Sequence, residues 1–262
     1  MKIAVAATAH FGADVLERLA ARHEIAFLLT RPDSAQGRGR RLAPPPAKKA
    51  AEELGIAVHQ PPRPELPREP VDAVVVCAYG LLIPESLLGE ALWLNVHPSL
   101  LPRWRGAAPV ERAILAGDER TGVTIHRTVK ELDAGPIAAQ EAFPIAFDDD
   151  AGAVYRRSAE LAARLLERVL PAPVFEPQRA EGATYADKIG PADRELDLAD
   201  ALDAWRRVRA LSPHIGARAE LAGRRVTIWR AHLEDGVFEP LEVQPEGRRR
   251  MSYDEFLRGI RP

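Results

Sequence analysis

The sequence predicts an α/β protein, with an open, Rossmann-like, mostly parallel sheet followed by a small, mainly β C-terminal domain. Short apolar runs alternate with amphipathic segments up to residue 170, which is the pattern of βαβ units. Several of those runs lack polar alternation, as strands buried on both faces require. Near the C-terminus, two alternating runs flank Gly223, and this pattern indicates short antiparallel strands.

The first elements are strands and helices in alternation. Residues 2–8 and 24–30 are short apolar runs and predict buried strands. Residues 13–23 between them carry apolar side chains at helical spacing. Residues 45–55 begin with prolines and end with glycine, so they predict the next helix.

The middle of the chain continues the same pattern. Residues 56–60 and 71–79 predict two further strands, joined by a proline-rich surface connection. The segment 109–118 predicts a helix, and the runs 121–129 and 135–145 predict two strands around a short turn. Ligands of such sheets bind beyond the carboxyl ends of the parallel strands.

The rest of the chain sets the predicted domain boundaries. Residues 153–170 form a long amphipathic helix pattern, which closes an N-terminal domain over 1–172. The polar, proline-containing segment 173–196 reads as a linker. Residues 197–262 begin with a helix and continue with strands, and we expect them to form the C-terminal domain.

Composition excludes several classes of protein. The net charge is −2 and the pI is about 6.4, so the whole chain has no long-range attraction to nucleic acid or membrane. Basic residues cluster locally, because residues 31–49 hold six Arg or Lys and one Asp. The single cysteine excludes a disulfide framework and argues against a cysteine zinc site. No run approaches membrane-spanning length, and we expect a cytoplasmic protein.

Dinucleotide binding is the first function to consider for such a sheet. The loop after the first predicted strand contains Gly12 alone and lacks the Gly-x-Gly-x-x-Gly turn that lets the backbone approach a pyrophosphate. A nicotinamide or flavin role is therefore disfavoured.

Polar side chains stand at the end of the strand predicted near residue 94. Asn95 and His97 are two residues apart, so they point to the same side of a strand. Both can donate hydrogen bonds to negative charge that develops on an oxygen atom. Asp133 follows later in a turn; it is either an ordinary turn residue or a carboxylate that orients and charges the imidazole.

Around these residues the chain resembles the folate-dependent formyltransferases. The matching motifs are Asn95-x-His97, Ser99-Leu100-Leu101-Pro102, Arg103-x-Arg105-Gly106 and Asp133-Ala134-Gly135. Two further stretches, 30–48 and 241–259, are similar to methionyl-tRNA formyltransferases. The likeness runs from about residue 24 to the C-terminus. The chain departs from the family in the first loop (7–11), and the short stretch 234–240 replaces additional strands, which implies a shortened barrel-like C-terminal domain.

The resemblance implies formyl transfer from 10-formyltetrahydrofolate to the α-amine of charged initiator tRNA, with no metal. Asn95 and His97 would stabilise the oxyanion, and Asp133 would hold His97 and relay the amine proton. The folate-binding residues it implies are Ser99, Leu100, Leu101, Pro102, Tyr79, Gly80, Leu81 and Leu82. The tRNA-binding residues it implies are Arg38, Arg40 and Arg41, with phosphate affinity from Arg206, Arg207, Arg209 and Arg248–Arg250. We expect a monomer.

Two other functions stay open on the sequence. A sugar-nucleotide N-formyltransferase would share the folate donor and the Asn95, His97 and Asp133 set, and the strand around His126 is somewhat similar to that group. The basic loop and the C-terminal stretch argue against it. An inactive RNA-binding module with the same fold is the alternative from another class, and the intact polar set argues against that.

Overall fold

The computed structural model describes residues 1–36 and 41–259. The strands are β1 (Lys2–Ala7), β2 (Glu24–Leu29), β3 (Ser34–Gln36), β4 (Arg41–Ala43), β5 (Ala57–His59), β6 (Ala73–Cys77), β7 (Leu92–His97), β8 (Arg105–Gly106), β9 (Arg120–Arg127), β10 (Ile137–Pro144), β11 (Tyr185–Ala186), β12 (Ala217–Leu221), β13 (Arg224–Glu234), β14 (Val237–Pro245) and β15 (Met251–Ser252). The helices are α1 (His10–Ala20), α2 (Pro46–Glu53), α3 (Glu85–Leu88), α4 (Pro109–Ala116), α5 (Ala151–Val169), α6 (Ala201–Leu211) and α7 (Tyr253–Arg258), and one turn of 3-10 helix covers Ala192–Arg194.

A seven-stranded sheet forms the centre of the N-terminal part, in the order β10-β9-β7-β6-β1-β2-β5. Neighbouring strands from β7 to β5 are parallel, whereas β9 runs antiparallel to β7. The prediction of an open, mostly parallel sheet is therefore confirmed. The carboxyl ends of the parallel strands lie along one edge of the sheet, and this edge carries the polar residues of β7.

Burial explains why the N-terminal strands are apolar throughout. Every residue of β6 is buried, and so are Ile3 to Ala7 of β1. One core cluster packs Phe27, Tyr79 and Trp93 against small residues of β1 and β6. Each large apolar side chain that is fully buried stabilises the fold by about 1.5–3 kcal/mol.

The ends of the predicted elements differ by a few residues from the structure. Helix α1 begins at His10 rather than at residue 13, because Ala9 is extended and Phe11 is already buried. The short hairpin of β3 and β4, the one-turn helix α3, and β14 with β15 and α7 were not predicted. Most of them are two to four residues long, which is too short to show a hydrophobic period.

The described contacts divide the chain into two compact units. The first comprises 1–105, 122–142 and 156–184, and the second comprises 106–121, 143–155 and 185–262. These units are groups of residues in mutual contact, and each combines several stretches of the chain. They do not test which stretches fold independently, so the domain boundaries at residues 172 and 196 stay a prediction.

A four-stranded antiparallel sheet lies in the second unit, in the order β12-β13-β14-β15. Its core holds Val226, Ile228 and Val243, packed with Val208 of α6 and Phe256 of α7. Within the stretch 234–240, Asp235 and Gly236 form the turn between β13 and β14, and both have positive φ (51° and 76°). Consecutive positive φ angles suit a tight hairpin turn.

No helix within the described part of the chain is both long enough and apolar enough to span a membrane.

A candidate active site at the end of strand β7

The antiparallel pairing of β7 with β9 brings four polar side chains to one face. Asn95 lies directly opposite His126, and His97 lies opposite Thr124. Directly opposed residues of an antiparallel pair point to the same face of the sheet. The face that carries Asn95 and His97 therefore also carries a second histidine.

Asp133 completes this group from the turn between β9 and β10. Its Oδ1 accepts a hydrogen bond from Asn95 Nδ2 at 3.0 Å and lies 3.6 Å from His126 Nε2. Its Oδ2 lies 3.6 Å from His97 Nδ1. The structure thus brings together the three residues singled out in the sequence and adds His126. Asn95, His97 and His126 surround the Asp133 carboxylate, whose side chain is only 9% exposed.

Backbone carbonyls determine which nitrogen of each imidazole carries a proton. His97 Nε2 lies 2.7 Å from the Trp104 carbonyl oxygen, and His126 Nδ1 lies 3.0 Å from the Arg127 carbonyl oxygen. A carbonyl oxygen only accepts, so we assign the N–H of each ring to the nitrogen that faces it. The other nitrogen of each ring, which can gain or lose a proton, faces Asp133.

Both amide hydrogens of Asn95 have acceptors in this arrangement. One N–H donates to Asp133 Oδ1 at 3.0 Å, and Nδ2 lies 3.1 Å from His126 Nε2. Because His126 carries its proton on Nδ1, its Nε2 accepts the second N–H. Asn95 can donate to a reacting oxygen only after one of these bonds is released.

The charge state of His97 depends on opposing influences. Burial lowers the pKa of His97 below its ordinary value of 6.5, and this is the largest effect. The Asp133 carboxylate and the Trp104 carbonyl raise the pKa, whereas the nearby His126 lowers it. The net direction is downward, which favours the neutral form of His97.

Gln178 holds the turn that carries Asp133. Its Nε2 donates to the carbonyl oxygens of Asp133 and Gly135 at 2.8 and 2.7 Å, and its Oε1 accepts from Arg105 at 2.7 Å. Asp133 has a positive φ of 47°, a conformation that costs free energy in a residue other than glycine. Gly135 is required because a Cβ atom there would overlap the Arg127 carbonyl oxygen.

The N-terminal part of the chain matches a known protein family. The family model described as "Formyl transferase" matches residues 1–170, which is more than half of the chain. The chain belongs to the formyl transferase family. A methionyl-tRNA formyltransferase of Paracoccus denitrificans is 39% identical over 292 residues, which cover 99% of this chain and 98% of that protein.

Solved structures show the same fold at low sequence identity. The methionyl-tRNA formyltransferase from Clostridium thermocellum superposes with a TM-score of 0.66 at 14% identity, over 94% of this chain and 98% of that one. HypX from Aquifex aeolicus, in a complex with tetrahydrofolic acid, gives a TM-score of 0.66 at 18% identity, over 98% of this chain and 46% of that one. The fold of this formyl transferase is therefore found both alone and as part of a longer chain.

The Arg-Trp-Arg turn of this formyl transferase supports the site through its backbone. Trp104 has a positive φ of 63°, and this conformation accompanies the bond between its carbonyl oxygen and His97. The Trp104 N–H donates to Thr184 Oγ1 at 2.9 Å, and the Arg103 guanidinium lies 4.3 Å from the centre of the Trp104 ring. Arg105 extends the support to Gln178.

The eight residues expected to line the folate pocket differ in accessibility. Ser99, Leu101 and Tyr79 are buried, and burial raises the pKa of Tyr79 to about 12. The other five reach the surface to different extents; they are Leu100, Pro102, Gly80, Leu81 and Leu82. The three buried residues can support the wall of the pocket from the protein interior, and the five accessible residues can contact a ligand.

Hydrogen bonds fasten the Ser99–Leu101 segment to β9 and β10. Thr124 Oγ1 donates to the Ser99 carbonyl oxygen at 2.7 Å and accepts from the Leu101 N–H at 3.2 Å. Gln140 Nε2 donates to the Leu101 carbonyl oxygen at 2.9 Å. The Ser99 hydroxyl donates to the Arg103 carbonyl oxygen at 2.7 Å, so it serves the loop rather than the surface.

The predicted tRNA-binding arginines are only partly described. Arg38 and Arg40 lie outside the described residues, and of Arg41 only the backbone position in β4 is described. In the second unit, Arg207 pairs with Asp203, and Arg209 donates to the Asp149 carbonyl oxygen and covers the Trp205 ring. These internal bonds hold Arg207 and Arg209 in the fold, and the role of both in phosphate binding stays a prediction.

Three contributors to the site were not assigned from sequence: His126, the Trp104 carbonyl and Gln178. His126 stands in an alternating strand, but alternation does not reveal the register with β7 that places it opposite Asn95. Gln178 lies 45 residues from Asp133 along the chain. Within the described residues, no group of three or more His, Cys, Asp or Glu is placed to hold a metal ion.

Proposed function

We propose that this formyl transferase transfers the formyl group of 10-formyltetrahydrofolate to the α-amine of methionyl initiator tRNA, a step of translation initiation. The observation that carries the proposal is the buried group of Asn95, His97 and Asp133 at the end of β7, together with 39% identity to a methionyl-tRNA formyltransferase over nearly the whole of both chains. Attack of an amine on a formyl carbon places negative charge on the formyl oxygen. Buried hydrogen-bond donors stabilise such a charge far better than water does.

Each residue has a distinct role in the proposed reaction. His97 donates to the oxyanion as it gains a proton on Nδ1, and Asp133 favours that charged form. Asn95 donates an amide N–H to the same oxyanion once one of its present acceptors is released. Asp133 also relays the proton that the attacking amine loses, and the folate nitrogen takes up a proton as it leaves.

The proposed folate site uses the surface beside the catalytic group. Leu100, Pro102, Leu81 and Leu82 offer apolar surface, and a flat heterocycle binds against apolar walls with a few polar groups at its edge. A related fold binds tetrahydrofolic acid in HypX, which supports a folate donor for this chain. The hydrogen bonds of Thr124 and Gln140 keep the wall in place before the donor arrives.

The proposed tRNA contacts are Arg38, Arg40 and Arg41 of the basic loop and Arg248–Arg250 near the C-terminus. Arginine suits phosphate and base-edge contacts because its guanidinium presents several donors in one plane. The anchor of the basic loop is described: Lys48 Nζ lies 2.9 Å from Asp33 Oδ1, and Gln60 Nε2 donates to the same atom at 2.8 Å. We also propose that the protein acts as a cytoplasmic monomer.

One assay tests the proposed function against its nearest rival. The purified full chain is given 10-formyltetrahydrofolate with methionyl initiator tRNA and, in parallel, with a set of amino-sugar nucleotides. We expect formylmethionyl-tRNA to form at least a hundred times faster than any formylated sugar. Formylation of an amino sugar alone would replace the proposed acceptor. Binding of tRNA with no transfer to any amine would favour an inactive RNA-binding module.

A further inference from the structure

The amide group of Asn95 is fully engaged before any substrate binds. One of its hydrogens goes to Asp133 Oδ1 and the other to His126 Nε2. If Asn95 stabilises the oxyanion, as the proposed function requires, one of these two hydrogen bonds must break during the reaction. A carboxylate always accepts, whereas an imidazole nitrogen ceases to accept when it gains a proton.

From this arrangement we infer that His126 is a positioning residue whose uptake of a proton releases the Asn95 amide to the oxyanion. The inference rests on the proposed function and assigns His126 a role that acts through Asn95. His126 Nδ1 is committed to the Arg127 carbonyl oxygen, so only Nε2 can change its protonation. That same nitrogen lies 3.6 Å from Asp133 Oδ1, which can hold the imidazolium once it forms.

The surroundings of His126 support a gain of charge at this position. Its side chain is 2% exposed, so a proton on Nε2 needs a partner inside the protein. The titratable groups that face it in the described chain are Asp133 from the turn and His97 from β7, whose ring centre is 6.3 Å away. Asp133 therefore lies between two imidazoles, with one oxygen directed to each.

The proton and electron balance of the step closes with one proton from the amine and one from solvent. Solvent protonates His97 Nδ1 as the oxyanion forms, and that proton returns to solvent when the oxyanion collapses. The amine lone pair forms the new C–N bond, and the electron pair of the formyl C=O moves to oxygen. The ammonium nitrogen then loses a proton, which passes by way of Asp133 to His126 Nε2. When the C=O bond re-forms, the C–N bond to the folate breaks, and the proton returns to the folate nitrogen.

The decisive variant is His126→Gln, with His126→Leu beside it. Glutamine keeps an acceptor for Asn95 but takes up no proton, whereas leucine removes both properties. Single-turnover formyl transfer to methionyl initiator tRNA is measured from pH 5.5 to 9 with saturating folate donor. We expect His126→Gln to bind both substrates normally but to react about a hundred-fold more slowly, the lower end of the usual effect of proton transfer. We also expect the shape of its pH profile to differ from that of the wild type.

Two results would overturn the inference. A His126→Gln rate and pH profile like the wild type, with only His126→Leu slow, would make His126 a plain hydrogen-bond acceptor. The wild-type rate is also measured in mixtures of H2O and D2O. A linear dependence on the deuterium fraction would indicate that a single proton moves in the rate-limiting step. We expect a curved dependence, which indicates that more than one proton moves. This second measurement does not require the variant to fold.

A matched control separates this inference from the function on which it rests. His232 lies on β13 with a side chain that is 43% exposed, and His232→Gln should leave rate and profile unchanged. If the wild type transfers no formyl group to any amine, the proposed function fails. If the wild type is active and His126→Gln is unaltered, only the role of His126 fails.

Discussion

A single carboxylate organises the candidate site at the scale of residues. Asp133 accepts from Asn95, faces His97 with one oxygen and faces His126 with the other. Each imidazole is oriented by a backbone carbonyl, so neither ring can turn away without losing a buried hydrogen bond.

Removal of the charge on Asp133 should separate catalysis from folding. Asp133→Asn keeps the size of the side chain but removes the charge that raises the pKa of His97. We expect turnover to fall by about 100- to 10,000-fold and the NMR titration midpoint of His97 to move to lower pH. Asp254→Asn, an exposed change in the first turn of α7, is the control. Near-native turnover in a folded Asp133→Asn protein would refute the assigned role.

Truncation of Asn95 tests the second oxyanion donor. Asn95→Ala removes the amide but leaves His97 and Asp133 in place, and loss of one such donor typically lowers turnover by about 100- to 1,000-fold. The Michaelis constants for folate and tRNA should change little, because the lost bond forms in the transition state. Turnover within a few-fold of the wild type would show that the amide serves structure alone.

At the scale of elements, the register of β7 and β9 and the turn after β9 build the site. A shift of one residue in the pairing would turn His126 to the opposite face of the sheet. Gln178 secures the turn from a segment beyond α5 and connects it to Arg105. The position of Asp133 therefore depends on hydrogen bonds that join distant parts of the first unit.

Loss of the Gln178 amide should loosen the Asp133 turn. Gln178→Leu leaves the carbonyl oxygens of Asp133 and Gly135 without this donor, at a cost of about 1–3 kcal/mol for each buried group. We expect turnover to fall at least ten-fold and the thermal midpoint to drop by several degrees. Gln60 makes two comparable bonds in another turn. Gln60→Leu should lower the midpoint similarly without the same fall in turnover at saturating tRNA, and equal losses in both variants would contradict a specific role for Gln178.

Charge distribution matters at the scale of the whole molecule. The net charge is −2, so attraction to tRNA must come from local basic patches rather than from the overall field. Near the C-terminus, Arg249 pairs with Glu255, and Arg250 lies 3.5 Å from the centre of the Trp229 ring. The guanidinium of Arg248 has no bonding partner within the described residues, which leaves it available for a phosphate.

The affinity for initiator tRNA should therefore fall steeply as salt concentration rises. Arg248→Ala removes one phosphate contact and should reduce the slope of log K against log salt by about 0.7–0.9. The pair Arg38→Ala with Arg41→Ala should reduce it further. Arg18→Ala on α1, which changes the net charge by the same amount as Arg248→Ala, is the control for a general charge effect. A slope that none of the basic-patch variants alters would remove these arginines from the interface.

Local sequence patterns were sufficient to predict the fold class, most elements of the central sheet, and the family. A buried parallel strand can be recognised from its own residues, because a strand covered on both faces must be apolar throughout. Asn95 and His97 were identified for a similar reason: polar groups at the end of such a strand are costly unless they have a use.

Three facts came from the tertiary structure and could not be predicted. Asp133 lies beside Asn95 and His97, His126 faces Asn95, and both hydrogens of the Asn95 amide are engaged in hydrogen bonds. These facts follow from the strand register and from hydrogen bonds between residues up to 45 positions apart. Hydrophobic periodicity carries information about one element at a time. The distance between side chains of different elements is set by the packing of the whole sheet, so no local pattern could supply it.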